Sequence, residues 1–553
     1  MKLFVLVIIL IFFSLISIKL IKQPSILFIN GNIYSPTIKY ECIIIKKNKI
    51  IYTGDFTSDL KYDKIVDLNG KTMLPGFIDS HTHVVLKALT KIMIDLFVNT
   101  KEEFLTKLKN QINKRIGFNY EPLLMSDPID LNKQILDEIS NDQPLLIIHK
   151  SGHVAYFNSV LLSMINPSII KGENNNINTD KCIAYEIHAI MILLSYMLKY
   201  LHINNSTVKE LTKQTLYDYA KNGYTTITDL SLGIPIGGNN IEMLKQLSKN
   251  SPVRIQGYVI YSNTCVKTCK KYLRNNKGDN PINSKFETLG IKIWNDGSLQ
   301  AFTGALSQPY ENTDNKGKIN YSLDQLKKIV KEISDNGLSV AIHANGDQAI
   351  ENALIAYENV KNEKNENNKN TNKSQIFRIE HATLTNPNLI EKMSQLNVIP
   401  SFTIPHVYYY GNVFKNILGT NRSQFIDSVK SALDHNIIFT LNDDSPLAPI
   451  NPFQMIKTSM TREIRNIESK ANSEVSEYER KEVNKEPQET LNIDQKIPLI
   501  EAIKAFTING SISCGRENEI GGIDIGKKAD FVILDGENVI QTWLNGKKIN
   551  LLS

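Results

Sequence analysis

The sequence is poor in cysteine: Cys42, Cys182, Cys265, Cys269 and Cys514 are the only five in 553 residues. Thiols so few, odd in number and widely spaced exclude the disulfide framework that staples small secreted domains. Cys265 and Cys269 are four apart, but no second Cys or His pair stands at zinc-ribbon spacing, so both read as ordinary thiols. The chain also lacks an excess of charge of one sign. Its 63 basic and 57 acidic side chains leave a formal charge of +6, and no basic stripe interleaved with aromatics appears. Nucleic acid is therefore not an expected partner.

What is present is ordinary for a large enzyme: 42% hydrophobic and 22% charged residues, enough to bury a sizeable core. The N-terminus differs. Leu3 to Ile18 is apolar apart from Ser14 and Ser17, with Lys2 before it and Lys19 and Lys22 after it. The stretch Leu3 to Ile21 is just long enough to cross about 30 Å of hydrocarbon, and Ser17-Ile18-Lys19 is a poor cleavage site. Residues 1–22 are expected to be an uncleaved single-pass membrane anchor, with a cleaved secretory signal as the alternative. Either places the protein at a membrane or in the secretory pathway.

Residues 24–74 read as short strands broken by Asn-Gly, Pro and Gly, and residues 520–553 have the same style. Neither end holds a core alone, so a small β-sandwich composed from both termini is expected. Between them lie eight apolar strand-like runs: 77–83, 224–230, 253–260, 291–296, 340–344, 378–382, 398–403 and 437–443. Continuously apolar strands with polar C-terminal ends suit a parallel sheet covered on both faces. Eight such units predict an α/β fold, a (β/α)8 TIM barrel over 75–519 with its site at the C-terminal strand ends. A long insertion, 85–223, carries helices and one further strand-like run at 144–153. Segments 361–375 and 466–490 are low in apolar residues and are expected to be flexible.

The strand ends carry the chemistry. His81 and His83, at i and i+2 of the first strand, point to the same side. Lys292 lies in the fourth strand, His343 ends the fifth, His381 ends the sixth, and Asp443 and Asp444 follow the eighth. A single strand-end histidine is usually a satisfied polar residue, and a His-x-His pair is weak by itself. Four of the ten histidines at such ends, beside a carboxylate, form a joint pattern that suits zinc, iron, manganese or nickel.

These segments resemble a known family. LPGFIDSHTHV (74–84) is similar to the opening signature of the amidohydrolase superfamily. IKIWNDGSL (291–299), VAIHANGDQAIENAL (340–354), RIEHATL (378–384) and DDSPLAPINPF (443–453) resemble, in order, amidohydrolase family 3, the branch of YtcJ-like proteins and N-substituted formamide deformylases. The resemblance covers roughly residues 26 to 550. It implies His81, His83, His343, His381 and Asp444 as metal ligands, and Lys292 as a carboxylated lysine bridging two divalent ions, expected to be zinc. Asp443 stands where the family has Ser and competes with Asp444. A Lys292 paired with an acid such as Asp296 is the alternative to the carbamate and would leave one metal.

Four residues are expected to face a small-molecule substrate: His153, in a segment similar to the family's His-Ser/Ala-x-x-Asn run; Glu186; Asp296; and His406, in Thr403-Ile404-Pro405-His406, which replaces a Gln-Pro-x-His run. Dimers are common in the family, so a homodimer is expected by analogy. The expected reaction is hydrolysis of a non-peptide C–N bond (amide, formamide or cyclic amide) by metal-activated water. Asp444 then acts as base and acid, with His381 also in the catalytic set. The alternatives are a mononuclear deaminase and a catalytically silent, membrane-tethered scaffold.

Overall fold

A computed structural model describes residues 24–172, 176–234, 240–262, 264–273, 285–366, 375–465 and 489–550. The proposed anchor therefore lies outside the described residues. Among those described, no single helix is long and apolar enough to cross a membrane.

Eight parallel strands form one sheet: β1 (Phe77–Thr82), β2 (Tyr224–Leu232), β3 (Arg254–Ile260), β4 (Phe286–Trp294), β5 (Ser339–Ala344), β6 (Phe377–His381), β7 (Ile399–Phe402) and β8 (Thr440–Leu441). Each pairs in order with the next, and β1 pairs with β2. A parallel bridge between Thr82 and Ser445 brings the two edges together, so the barrel is nearly closed. The strands are buried along almost their whole length, which explains why they read as apolar runs rather than as alternations. Helices cover the outside, among them Leu323–Asp335, started by a reciprocal Ser322/Gln325 cap. The last strand is shorter than the run 437–443 suggests.

The barrel interior is unusually polar. The Arg378 guanidinium donates to both oxygens of Glu380 and to the Ser80 carbonyl. Near the β3 and β4 starts, Glu287 accepts from Gln256 and Arg516. Pairing with an opposite charge offsets much of the cost of burying such ions.

The segment 85–223 carries helices, as expected, and more strands than the one run at 144–153. It holds a six-stranded mixed sheet in the order Ile177–Asn178, Ile183–Tyr185, Val154–Phe157, Leu146–His149, Ile116–Tyr120, Ile94–Asp95. Its central hairpin turns at residues 150–153, where Gly152 has φ +72°, a conformation costly for residues with a Cβ. The helix Glu186–Tyr200 packs against this sheet.

Both chain ends meet in a second layer. Thr72–Pro75 pairs antiparallel with Phe531–Asp535 inside a six-stranded sheet, and Ser25–Ile29, Cys42–Lys46, Lys49–Gly54 and Lys64–Asp67 form a four-stranded one. Phe28, Phe531 and Trp543 pack ring to ring between them. Arg254, at the start of β3, pairs with Asp530 and ties this layer to the barrel. Of the segments expected to be flexible, residues 361–366 continue the helix Asp347–Glu366, while 367–374 and 466–488 lie outside the described residues.

Candidate metal centre

At the C-terminal end of β1, the ligand atoms of His81, His83 and Asp444 all lie within 4.8 Å of one another. Asp444 Oδ1 is 3.3 Å from His81 Nε2 and 3.2 Å from His83 Nε2. Asp443 points elsewhere. Its Oδ1 accepts from the Ser445 amide, and its buried carboxyl is pushed up to about 8 by burial. Asp444 takes a left-handed backbone, φ +47°, and its carboxyl turns to the imidazoles. Burial raises that carboxyl, but the His81 and His83 imidazoles and Lys292 outweigh it and hold Asp444 below the usual carboxylate range.

The histidines are held by their far nitrogens. His81 Nδ1 donates to Glu380 Oε2 at 2.6 Å, which leaves the Nε2 lone pair facing Asp444. Burial, reinforced by Lys292, keeps His81 well below the ordinary imidazole value and so neutral. His381 Nδ1 sits 2.9 Å from Thr403 Oγ1, whose hydroxyl is 3.0 Å from Asn442 Oδ1. With that hydroxyl donating to Asn442, Thr403 accepts from His381 and leaves the other ring nitrogen free. His343 Nε2 donates to the Gly297 carbonyl at 3.0 Å. Carboxylate, hydroxyl and carbonyl partners of this sort set the tautomer of a metal-binding imidazole.

His381 flanks the trio, its Nδ1 3.9 Å from Asp444 Oδ2 and its ring centre 4.8 Å from that of His81. His343 lies behind it, ring centres 4.4 Å apart. Lys292 is fully buried on β4, and its Nζ has no hydrogen-bond partner. Burial lowers its ammonium to about 8 against the pull of Glu380 and Asp444. The alternative pairing with Asp296 is not made. The Asp296 carboxylate instead accepts the amides of Ala305, Asn345 and Gly346 and clamps the loops after β4 and β5 together. Gly346 is required there, because a Cβ would lie 1.9 Å from the Ala305 carbonyl. Asp296 thus shapes the wall, and burial pushes its carboxyl up to about 7.

The donor set fits a divalent cation. His81 Nε2 and Lys292 Nζ are buried without hydrogen bonds, and one carboxylate oxygen lies between two imidazole nitrogens. Neutral imidazoles with a carboxylate are the ligands such an ion takes. The cluster opens into a pocket lined by His83, His343, His381 and Asp444 together with Lys150, Ser151 and His153, the His153 ring centre 5.2 Å from that of His343. His153 Nδ1 lies 3.0 Å from Glu186 Oε2. Burial opposes its charge, yet Glu186 holds His153 above the ordinary value. His406 does not line the cavity. It stacks behind His381, 3.3 Å from Thr383 Oγ1, and burial lowers it to about 4.

Sequence reasoning passes over Glu380, Asn345, Trp294 and Lys150. Glu380 had a signal: it alternates with Arg378 on β6 and faces the barrel interior beside it. Lys150 had none, since its strand belongs to a sheet that local patterns do not reveal.

Residues 64–546 match the family model described as Amidohydrolase family. The chain belongs to that family and is a hydrolase acting on carbon–nitrogen bonds. It is similar to Protein LONG AFTER FAR-RED 3 of Arabidopsis thaliana, 24% identical over 95% of this chain and 91% of the relative. It is also similar to N-substituted formamide deformylase of Arthrobacter pascens, 22% identical over 94% of each chain. Among solved structures, an uncharacterized metal-dependent hydrolase from Pyrococcus horikoshii OT3 shares the fold with a TM-score of 0.70 and 23% identity, covering 95% of this chain and 100% of that one.

Proposed function

We propose that the chain hydrolyses a non-peptide C–N bond, in an amide, formamide or cyclic amide, at a zinc site held by His81, His83 and Asp444 with His343, His381 and Lys292 around it. The observation that supports this best is the convergence of two imidazole nitrogens on one Asp444 oxygen at the mouth of the barrel. A divalent ion there would supply Lewis acidity and a water of lowered pKa.

The chain's own groups do the rest. Asp444, ionised and 12% exposed at its side chain, takes the proton released by the attacking water and returns it to the leaving nitrogen. His153, held by Glu186 above the ordinary imidazole value, donates a hydrogen bond that positions the substrate oxygen. Glu380 and Thr403 keep His81 and His381 in one tautomer and orientation. The unpartnered Lys292 amine, with its lowered pKa, suits carbamate formation and a two-metal site. Elemental analysis of the purified protein, followed by a screen of amides, formamides and cyclic amides, tests the reaction. A protein without metal that turns over none of them would overturn it. Intact mass of a tryptic peptide spanning Lys292, with or without one added CO2, separates the two-metal site from the mononuclear alternative.

The apolar run Leu3–Ile21 supports a second proposal, attachment to a membrane. Full-length chain should stay with alkali-washed membranes, and a chain beginning at residue 23 should be released.

A further inference from the structure

The pocket at the metal cluster carries a charge that the hydrolytic scheme does not use. Lys150 sits at the turn of the insertion hairpin and is 4% exposed, and it lines the same cavity as His83, His381 and Asp444. Its Nζ donates to the Leu447 carbonyl at 2.6 Å. The Phe97 and Tyr409 rings lie 4.6 and 4.9 Å from the same atom. Among the described residues, no carboxylate comes within ion-pair distance of it. Glu121, the acid that acts on it most strongly, is engaged by the Tyr410 hydroxyl at 2.8 Å and by His149 at 3.3 Å.

Burying an ammonium with one hydrogen bond out of three is costly, and folded chains keep such a group when a partner arrives to satisfy it. Burial lowers Lys150 only to about 8, so at neutral pH the charge is still there. The Phe97 and Tyr409 faces stabilise it in part and hold it in place. Its backbone partner is set by the loop that carries Asp444, because the Leu447 amide donates to the Asp444 carbonyl at 2.8 Å. The cation is thus tied by a hydrogen bond to the loop that carries Asp444 and lines the same pocket.

We propose that Lys150 is a specificity residue that receives a carboxylate carried by the substrate, so that the enzyme prefers amides bearing a carboxylate over neutral ones. This rests on the hydrolytic reading for the reaction, but the anion subsite stands or falls separately. The cavity walls between are apolar, with Phe118, Ile148, Met191 and Leu194 among them. The compound that fits has a carboxylate at one end, a hydrocarbon body and the scissile C–N bond at the other.

The test uses hexanoate and hexanamide as binding probes on the full chain, by calorimetry, with metal and after chelation. Wild type should bind hexanoate about tenfold more tightly than hexanamide, with the preference kept after chelation. Lys150→Met should abolish the preference while leaving hexanamide affinity unchanged, and Lys150→Arg should retain most of it. A wild type with no preference, a preference lost on chelation, or one that survives Lys150→Met would overturn the proposal. Should Lys150→Met fail to fold, the wild-type and Lys150→Arg measurements still decide. A carboxylate preference in a protein that hydrolyses nothing would sink the hydrolytic reading and leave the subsite standing.

Discussion

The two walls of the cavity are built on opposite principles. The barrel wall presents His81, His83, Lys292 and Asp444, groups whose reactive atoms are left open, with His81 tied down on its far side by Glu380. The insertion wall presents hydrocarbon, one lysine and one histidine already paired with Glu186. The first arrangement is costly for a resting fold and useful only when an ion completes it. The second is comfortable at rest and discriminates by shape and charge. On the proposed reading, chemistry belongs to the strand ends and recognition to the inserted sheet, a division the barrel allows because its loops vary while its strand ends stay put.

Substitutions should separate the walls. On the barrel side, Asp444→Asn is expected to lower kcat roughly a thousandfold and to reduce bound metal; kinetics beside elemental analysis check it. Undiminished turnover with metal in place would remove Asp444 from the proton transfer. Lys292→Met should cost on the order of a hundredfold in turnover and lower the metal content per chain, with the CO2 adduct gone from the peptide mass. On the insertion side, Glu186→Gln should raise KM about tenfold with little change in kcat.

The Glu186 substitution also has a pH signature. His153 is held above its ordinary value in the folded chain, so the stability the pair contributes is complete below the unfolded histidine's pKa of about 6.5. It is lost as pH rises through the folded-state value. The stability gap between wild type and Glu186→Gln should therefore be widest in mild acid and close toward alkaline pH, as denaturant melts across pH would show. The smallest effect belongs to Met191→Leu, which conserves volume in the apolar wall. It should change stability by less than about 1.5 kcal/mol and leave kcat alone. A Met191→Leu variant as crippled as Asp444→Asn would erase the distinction between the walls.

The barrel was legible in the sequence because its strands are buried on both faces and its functional residues stand at strand ends, both of them local features. The choice of Asp444 over Asp443 came from the motif resemblance and not from periodicity, because β8 is two residues long and Asp444 lies in the turn after it with a left-handed backbone. The alternative Lys292–Asp296 pair is not made for a similar reason. Asp296 is drawn off by three backbone amides that converge only when the loops after β4 and β5 meet. His406, expected at the substrate, is held behind His381 by the helix Pro405–Ser423 that it starts. Of the inserted sheet only the run at 144–153 showed; its other strands are two to five residues long, too short for periodicity to register.

The pairing of Thr72–Pro75 with Phe531–Asp535 has a consequence for synthesis. Lys71 and Asp535, which face each other across it, are 464 positions apart. The early strands emerge with an open edge and an uncovered Phe28, and they wait for nearly the whole chain before Phe531 and Trp543 arrive to close over them. Contacts this distant in sequence form late and slowly, so the nascent chain carries an exposed hydrophobic seam through most of its translation. The barrel can assemble while the ribosome is still at work, but the layer that seals its flank is finished only at the end.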